Sequence, residues 1–269
     1  MNIQGTHVRT MSQPAIFITG AAAGIGRATA ELYAARGWFV GLYDLAGSAV
    51  EGLRQKFGAS QAIAEQLDVT DPAAVEAALL RFWNKTGRLD VMFNCAGILT
   101  TGDFADIPLA RHHLLVDVNL KGVINGAHAA FQYLKQTRGS CLINMASASA
   151  IHGTPAFATY GATKFAVKGL TEALSIEWAQ HRIRVMDLMP LFVATPMVNN
   201  VAAPPKSIGR LGVNLTAEDV ALAVWKAANW RLWPRVHWYP GAQTKGLAWS
   251  NKLLPAVLNR YSTKVVTGY

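Results

Sequence analysis

The chain has 269 residues, of which 51% are apolar and 15% charged, and its formal net charge is +9. This length and composition are typical of a folded globular protein and exclude a disordered one. No apolar run reaches the roughly eighteen residues of a membrane span, the start lacks the apolar core of an export signal, and two cysteines form neither a disulfide framework nor a metal site. We therefore expect a cytoplasmic protein without a metal ion.

The positive charge is concentrated in the last third of the chain. From Leu191 onward, nine Lys and Arg face two acids, which gives +7. Such a region can bind nucleic acid or an anionic membrane surface, but an apolar interface with a solvated basic rim is the commoner explanation. We expect no nucleic-acid partner. Five of the eight tryptophans also fall in this part: Trp225, Trp230, Trp233, Trp238 and Trp249.

The first structural unit predicted along the chain is a strand, a glycine turn and a helix. The apolar run 15–19 is a buried strand, the glycines Gly20, Gly24 and Gly26 follow at once, and residues 27–37 form a helix. Glycines let a backbone approach a pyrophosphate, and the helix N-terminus offers it N–H groups. This unit predicts a dinucleotide site. Residues 1–13 precede it as a flexible extension, and 14–269 form a single domain.

The second strand, 38–43, ends at Asp44, which predicts the choice of cofactor. A carboxylate at this point accepts hydrogen bonds from the ribose hydroxyls of NAD and repels the 2′-phosphate of NADP. The next residue, Leu45, is no base that could receive that phosphate. The alternative for Asp44 is a cap of the following turn. Arg27 has two interpretations as well, as a surface residue of the first helical turn or as a phosphate ligand.

Strands and helices then alternate. Strands are predicted at 62–67, 89–93, 141–145, 183–189 and 235–239, and helices at 72–86, from near Pro108, and from Thr216. Alternation of this kind gives parallel pairing with right-handed crossovers. We therefore predict a Rossmann-type, doubly wound α/β fold of three layers, α/β/α, with a mostly or fully parallel sheet of seven strands.

A tyrosine and a lysine share one face of a later helix. This helix is predicted to start near Pro155, a residue suited to a first helical turn, and Tyr160 and Lys164 lie four residues apart on it. An ammonium beside a phenol favours the phenolate and lowers the phenol pKa. Alone, such a pair is usually packing plus a solvated charge. Ser147, at the end of the preceding strand, offers a hydroxyl to a substrate oxygen.

Glycine spacing and the later pair together identify a family. Thr19-Gly20-x-x-x-Gly24-x-Gly26, the segment Asn94-Cys95-Ala96-Gly97, and Ser147 thirteen residues before Tyr160 appear in order. From about residue 15 to 196 the sequence resembles the single-domain short-chain dehydrogenases/reductases. Two positions depart from the family pattern, since Cys95 replaces an asparagine and Leu191 replaces a glycine.

The resemblance implies roles for individual residues. Tyr160 exchanges the substrate proton, Ser147 orients the substrate oxygen, Lys164 lowers the Tyr160 pKa and binds the nicotinamide ribose, and Asn119 interrupts its helix and holds a water in a proton relay. Asp68 meets the adenine amino group. The full set of cofactor-binding residues implied in this way is Gly20, Gly24, Ile25, Gly26, Asp44, Asp68, Val69, Asn94, Ala96, Gly97, Tyr160, Lys164, Pro190, Val193 and Thr195.

The remaining segments are predicted to shape the substrate site. Residues 198–215 contain two adjacent prolines and are a candidate substrate lid or a surface loop, and 240–269 form an apolar and basic tail with amphipathic helical stretches. The tail can cover substrate, pack in an oligomer or touch anionic lipid. By resemblance, we expect a homo-oligomer, a tetramer or a dimer, with peripheral membrane contact the less favoured use of the tail.

These observations predict an oxidoreductase that uses NAD(H) in preference to NADP(H). It interconverts a secondary alcohol and a ketone on a hydrophobic substrate, with a small-molecule substrate as its partner. Two alternatives stay open at this point. The first is a reductase of a carrier-linked 3-oxoacyl substrate, for which the basic last third could receive the anionic carrier. The second is a dinucleotide-binding module that has lost catalysis.

Overall fold

A computed structural model of the chain describes residues 12–201 and 204–269, so most of the predicted N-terminal extension lies outside the described residues. These residues form nine strands, and most of the strands are separated along the chain by helices. The apolar runs found in the sequence form most of these strands, because a strand that is buried on both faces needs apolar side chains on both. In chain order the strands are β1 Ala15–Thr19, β2 Phe39–Asp44, β3 Ala62–Gln66, β4 Val91–Asn94, β5 Cys141–Met145, β6 Arg184–Leu188, β7 Val193–Ala194, β8 Leu215–Thr216 and β9 His237–Trp238.

Seven of the strands form one sheet in the order β3-β2-β1-β4-β5-β6-β9. Every pairing in it is parallel, from the β1–β2 register to the short β6–β9 register. The prediction of a seven-stranded parallel sheet is confirmed. The order reverses between β1 and β4, and in sheets of this kind ligands bind beyond the carboxyl ends of the strands at such a point.

Helices cover both faces of the sheet and complete the predicted three layers. The helices are α1 Gly24–Ala35, α2 Gly47–Phe57, α3 Pro72–Thr86, α4 Leu109–Val116, α5 Gly122–Leu134, α6 Ala158–Glu177, α7 Pro196–Asn199, α8 Lys206–Leu211, α9 Ala217–Asn229, α10 Ala242–Leu253 and α11 Ala256–Thr267.

The apolar core lies in two clusters, one on each face of the sheet. Alternate residues of β1 point to opposite clusters, with Ile16 and Ile18 on one side and Phe17 on the other. The first cluster packs the sheet against α1, α2 and α9, and the second packs it against α3, α5 and the end of α6. The helix that carries Tyr160 is therefore fixed against a rigid sheet.

Helix α6 begins one turn later than predicted. Its first residue is Ala158 rather than a residue near Pro155. Ala156 adopts a left-handed conformation with φ of 65°, which a continuing helix cannot contain, and the Gly102 N–H donates to its carbonyl at 3.1 Å. The contact with a neighbouring loop overrides the tendency of proline to open a helix.

The helical stretch predicted from Pro108 is present but contains an irregular turn. Residues Asp117–Lys121 form one turn of π-helix between α4 and α5, and Asn119 lies in it, fully buried. Single π turns inside an α-helix often mark functional positions. The predicted interruption of the helix at Asn119 is thus observed.

Strands β7 and β8 pair with each other in a separate two-stranded parallel sheet, with Val193 beside Leu215. The segment between them corresponds to the predicted lid, and among its described residues it holds the short helices α7 and α8. The amphipathic stretches of the tail form α10 and α11. Within the described ranges, no helix is long and apolar enough to cross a membrane.

Candidate active site

A cavity of about 310 Å³ opens at the carboxyl ends of β1 and β4, where the strand order reverses. Apart from Asn94 and Asn119, every residue predicted for the site lines it. Those residues are Gly20, Gly24, Ile25, Gly26, Asp44, Asp68, Val69, Ala96, Gly97, Ser147, Tyr160, Lys164, Pro190, Val193 and Thr195.

The glycine turn packs so closely that two of its glycines have no room for a side chain. Gly20 has φ of +71°, and a Cβ on it would lie 2.8 Å from the main chain of Ala96. A Cβ on Gly26 would lie only 2.0 Å from the carbonyl oxygen of Gly20. The start of α1 is therefore pressed against the turn, which leaves the helix N-terminus facing the cavity.

One hydroxyl of β1 holds the two residues that follow β4. Thr19 Oγ1 accepts the N–H groups of Cys95 at 3.1 Å and of Ala96 at 3.2 Å. The main chain at Cys95 is thus anchored although the asparagine of the family pattern is absent there. Burial raises the pKa of the Cys95 thiol to about 12, although Lys164 acts to lower it. The thiol is therefore protonated at neutral pH and is a poor nucleophile.

Both predicted carboxylates make local hydrogen bonds. Asp44 Oδ2 accepts the N–H of Ala22 at 3.0 Å, and its Oδ1 accepts that of Ala46 at 3.0 Å. Asp44 is therefore a turn cap as well as a cavity residue, and it connects β2 to the glycine turn. Asp68 Oδ1 accepts both the N–H and the hydroxyl of Thr70 at 2.8 Å. Each carboxylate keeps lone pairs for a further donor.

Asn94 is buried behind the cavity wall rather than in it. Its amide donates to Asn144 Oδ1 at 3.0 Å, and the Asn144 amide donates to the Thr171 hydroxyl at 3.0 Å. Thr171 belongs to α6, so a chain of buried hydrogen bonds runs from β4 through β5 to the helix that carries Tyr160. Within the chain, Asn94 positions this helix relative to the sheet.

Asn119 clamps the loop that follows β4. Its Oδ1 accepts the Ile98 N–H at 2.8 Å, and its Nδ2 donates to the Ile98 carbonyl at 2.9 Å. Gly97, one residue earlier, lies between this amide and Lys164, since a Cβ on Gly97 would be 3.2 Å from Asn119 Oδ1 and 3.7 Å from Lys164 Nζ. Asn119 is thus adjacent to the lysine although it does not line the cavity.

Three polar groups converge at the inner end of the cavity. Tyr160 and Lys164 share one face of α6, and Lys164 Nζ lies 5.7 Å from the centre of the Tyr160 ring. Lys164 Nζ also donates to the Met145 carbonyl at 2.8 Å. Ser147 follows β5, where its Oγ accepts the Ser149 N–H at 3.2 Å and forms a hydrogen bond with the Tyr160 side chain. A hydroxyl, a phenol and an ammonium therefore face one space.

The prediction that the pKa of the Tyr160 phenol is lowered is wrong for the protein chain alone. Burial raises the pKa of Tyr160, and the hydrogen bond with Ser147 offsets this only in part. Burial also lowers the pKa of Lys164 to about 8. Desolvation penalises the charged form of both groups, and at this separation the ammonium does not overcome it. Tyr160 therefore holds its proton at neutral pH, in the form that donates.

The segment after β6 forms another wall. Pro190 accepts the Ala148 N–H at 2.8 Å, which ties this segment to the loop that carries Ser147. Leu191 lines the cavity and does not adopt the positive φ that a glycine allows, so its replacement of glycine introduces no strain. The Thr195 side chain lies against Gly24 and closes the wall onto the glycine turn.

Sequence reasoning missed much of the apolar lining. Most of these residues lie at or just after the carboxyl ends of strands, a position from which a place in the cavity could have been predicted. Three others lie at the start of α7, whose first residue, Pro196, is suited to a first helical turn. Val198 is the first residue of the predicted lid. The cavity residues not predicted are Ala23, Leu45, Leu67, Cys95, Ile98, Val118, Met145, Ala146, Leu191, Pro196, Met197 and Val198.

A cluster of charged side chains around the buried Asp187 lies outside the cavity. Asp187 on β6 is fully buried, with both carboxylate oxygens 3.0 Å from His237 Nδ1, and His237 Nε2 lies 2.9 Å from Glu172 Oε1. Burial raises the pKa of Asp187 to about 6. Burial lowers the pKa of His237, but its hydrogen bonds to the two carboxylates outweigh this and raise it. The cluster joins β9 to β6 and α6.

Comparison with known proteins agrees with this arrangement. The model of the short chain dehydrogenase family matches residues 14–206. The chain is 34% identical over 206 residues to a 3-alpha-(or 20-beta)-hydroxysteroid dehydrogenase of Mycobacterium bovis, covering 77% of this chain and 78% of that protein. It is 33% identical over 184 residues to meso-2,3-butanediol dehydrogenase of Serratia marcescens, covering 68% and 73%.

A solved structure is similar over most of its length. The 3-ketoacyl-(acyl-carrier-protein) reductase of Brucella melitensis, complexed with NADH, matches with a TM-score of 0.77 and 28% identity. The match covers 84% of this chain and 96% of the reductase.

Proposed function

The chain belongs to the short-chain dehydrogenase family, and we propose that it is an NAD(H)-dependent enzyme that interconverts a secondary alcohol and a ketone on a hydrophobic substrate. As a family member it is an oxidoreductase with a nicotinamide dinucleotide cofactor. The finer proposal is carried by one observation, which is that Ser147, Tyr160 and Lys164 face the same cavity as the glycine turn.

The residues of the cavity fit a dinucleotide. Gly20, Gly24 and Gly26 place no side chain between the backbone and the cavity, and the N-terminus of α1 faces the same space, a combination that suits a pyrophosphate. Asp44 would hold the adenosine ribose, Asp68 the adenine, and Lys164 and Thr195 the nicotinamide half. When bound, the cofactor supplies or accepts the hydride.

The polar groups of the chain then handle the oxygen and its proton. The Ser147 hydroxyl orients the substrate oxygen by a hydrogen bond. The Tyr160 phenol, kept neutral by burial, gives its proton to that oxygen in reduction, and in oxidation its phenolate form takes the proton of the substrate hydroxyl. Lys164, with a pKa of about 8, is mostly an ammonium at neutral pH and stabilises the phenolate that remains after donation. Asn119 holds the loop beside the lysine.

The NAD preference rests on Asp44 and its neighbour. A carboxylate at the end of β2 repels a 2′-phosphate, and Leu45, which is 60% exposed and lines the cavity, offers no cation to receive one. We expect kcat/KM with NADH to exceed that with NADPH by at least about tenfold, as a single unpaired charge contact costs more than about 1.4 kcal/mol. Equal turnover with the two cofactors would overturn this part of the proposal.

The apolar lining supports a hydrophobic substrate. Ile98, Val118, Leu191, Met197 and Val198 line the cavity together with the polar groups. Apolar walls with a few convergent polar groups are typical of sites for small hydrophobic ligands. Two relatives are named as dehydrogenases of a butanediol and of hydroxysteroids, and dehydrogenation of a secondary alcohol gives a ketone, which supports this reaction for the chain. A panel of ketones and secondary alcohols, from short diols to steroids, tests it.

The assigned chemistry is tested by Tyr160→Phe and Ser147→Ala. We expect each to lower kcat by at least about a hundredfold while NADH still binds, because proton transfer contributes roughly 10²–10⁴ to such rates. The matched control is Tyr133→Phe, a buried tyrosine of α5 that does not line the cavity. Wild-type turnover in Tyr160→Phe refutes the role of this phenol.

A second candidate is the reduction of a carrier-linked 3-oxoacyl substrate. It is favoured by the similarity to the reductase of Brucella melitensis and by the seven Lys and Arg that follow Asp219, which could receive an anionic carrier. Activity on a 3-oxoacyl chain that is higher on the carrier than as a small thioester would select it. The homo-oligomer and the cytoplasmic location stay predictions, and gel filtration and fractionation test them.

A further inference from the structure

Helix α11 exposes apolar side chains and buries polar ones, the reverse of an ordinary surface helix. Its buried residues are Asn259 and Thr267. Asn259 Nδ2 donates to the carbonyls of Asn251 at 3.2 Å and Leu254 at 3.1 Å, which fixes the helix to the turn before it. The apolar residues recur at the spacing of one helical face on the solvent side. Their exposed fractions are 77% for Val257, 49% for Leu258, 67% for Tyr261 and 54% for Val265.

The preceding helix and turn add to this exposed surface. Trp249 and Leu253 are four residues apart on α10 and are 67% and 74% exposed. Leu254, in the turn to α11, is 40% exposed. Isolated exposed apolar residues are normal on a protein, but a run of them on consecutive elements marks an interaction surface. We name these seven residues the C-terminal apolar face: Trp249, Leu253, Leu254, Val257, Leu258, Tyr261 and Val265.

Cations accompany this face, and acids are missing from the sequence around it. After Asp219 the sequence contains seven Lys and Arg and no Asp or Glu. On α11, Arg260 and Lys264 are exposed and directly precede Tyr261 and Val265, so at about 100° per residue they border one edge of the apolar stripe. An apolar stripe with a cationic border suits a surface that is both apolar and negatively charged.

We infer that the C-terminal apolar face docks on the surface of an anionic lipid bilayer. Helix α11 lies in the plane of the interface, its apolar side chains enter the acyl boundary, and Arg260 and Lys264 meet the headgroups. An isologous contact between two copies would bring these cations together, which opposes self-association through this face. A nucleic acid would leave Val257, Leu258 and Val265 without an apolar partner. This inference does not rest on the proposed function.

The face is also tied to the region near the site. Arg210 of α8 donates to the Val265 carbonyl, and the Tyr269 hydroxyl forms a hydrogen bond with Asp103, in the loop between β4 and α4. The same loop contains Ile98, which lines the cavity. A bilayer in contact with α11 would therefore lie near Tyr269, whose hydroxyl is bonded to the loop that carries the cavity residue Ile98.

Vesicle sedimentation tests the inference. The probes are vesicles of phosphatidylcholine alone and of phosphatidylcholine with about 30% phosphatidylglycerol, at low and high salt. The wild type is expected to bind the anionic vesicles, to bind them less at high salt, and to leave the zwitterionic ones largely free. Leu258→Ser/Tyr261→Ser and Arg260→Glu/Lys264→Glu are each expected to weaken binding by at least about tenfold.

Matched controls separate docking from net charge and from folding. Lys85→Glu/Arg138→Glu reverses the same two charge types at exposed positions outside the C-terminal helices and is expected to bind within about twofold of the wild type. Circular dichroism and the urea midpoint establish that each variant is folded. If the serine variant does not fold, the charge-reversal variant still decides.

Four outcomes overturn the inference. The first is that the wild type does not sediment with anionic vesicles. The second is that the control Lys85→Glu/Arg138→Glu loses as much binding as Arg260→Glu/Lys264→Glu. The third is that duplex DNA displaces the bound protein while Leu258→Ser/Tyr261→Ser leaves vesicle binding unchanged. The fourth is a lower molecular mass of the serine variant in sedimentation without lipid, since the face would then lie between copies of the chain.

Discussion

A methyl group added at Gly26 is expected to damage cofactor binding far more than stability. The added Cβ would lie 2.0 Å from the carbonyl oxygen of Gly20 and 2.7 Å from its carbonyl carbon. Both are main-chain atoms that cannot rotate away. Contacts below 3.0 Å are essentially never tolerated by a Cβ, so the turn and the helix must separate by about 1 Å, a shift that well-packed interiors resist.

The magnitude follows from two opposing effects. Alanine is better than glycine inside a helix by up to about 1 kcal/mol. Overpacking in a tight site costs about 1–3 kcal/mol, so Gly26→Ala should lower the free energy of unfolding by roughly 0–2 kcal/mol. The displaced groups are the ones that line the cavity, and a loss of one or two hydrogen bonds to a charged ligand raises the NADH Kd by at least about tenfold.

Gly52→Ala is the matched control. Gly52 lies in the middle of α2, does not line the cavity, and nothing is within 4 Å of the position of an added Cβ. We expect this variant to gain up to about 1 kcal/mol in urea unfolding and to bind NADH like the wild type. The measurement is NADH fluorescence titration beside urea melts. An unchanged NADH Kd in Gly26→Ala would show that the close packing of the turn is not what shapes the cofactor site.

Three further perturbations test the site and the fold. Asn119→Ala should lower the free energy of unfolding by about 1–3 kcal/mol in urea, because the part-buried N–H and carbonyl of Ile98 in the β4–α4 loop lose their partner, and an undiminished midpoint contradicts the role of Asn119 in holding this loop. Leu45→Arg, beside Asp44, should raise kcat/KM for NADPH by about tenfold or more through a charge-assisted contact, whereas Leu45→Gln should not. Stability should fall as pH rises. The folded-state pKa of Asp187 is raised to about 6 from an ordinary value of 3.8, and that of His237 is raised above 6.5. A group with a raised folded-state pKa contributes stability that is present at low pH and is lost as the pH rises through that pKa. Because His237 lowers the pKa of Asp187, both groups must be removed together: Asp187→Asn/His237→Gln should flatten the urea-midpoint curve above about pH 6, and a curve as steep as that of the wild type rules out this origin.

Periodicity and turn chemistry predicted the elements that depend on the local sequence. The apolar runs of β1, β4 and β5 are buried on both faces, and their alternation with helices was enough to predict a parallel doubly wound sheet. Helix α2 was not predicted. Its start has no side-chain cap and no acid in the first turn, although Val50, Leu53 and Phe57 recur at helical spacing.

The errors share a tertiary cause. The start of α6 moved from Pro155 to Ala158 because a loop distant in sequence holds the Ala156 carbonyl. The pKa of Tyr160 was predicted to fall, and instead it rises, because the penalty of burial depends on what surrounds the ring and not on its spacing from Lys164. Sequence patterns also could not show the hydrogen bond from Asn94 to Asn144, because Asn144 lies on a neighbouring strand and is itself bonded to Thr171 of α6.

The small sheet of β7 and β8 closes the segment between these strands into a loop. Because Val193 lies beside Leu215, the two ends of this segment are already adjacent, and the fold needs nothing from its interior to keep them there. Each doubling of such a closed loop adds only about 0.6 kcal/mol of closure entropy. Residues 199–201 and 204–214, which lie beyond the cavity wall, can therefore lengthen, shorten or be exchanged for those of a relative, so that a new substrate is accommodated while the sheet, the glycine turn and the proton-handling groups keep their positions.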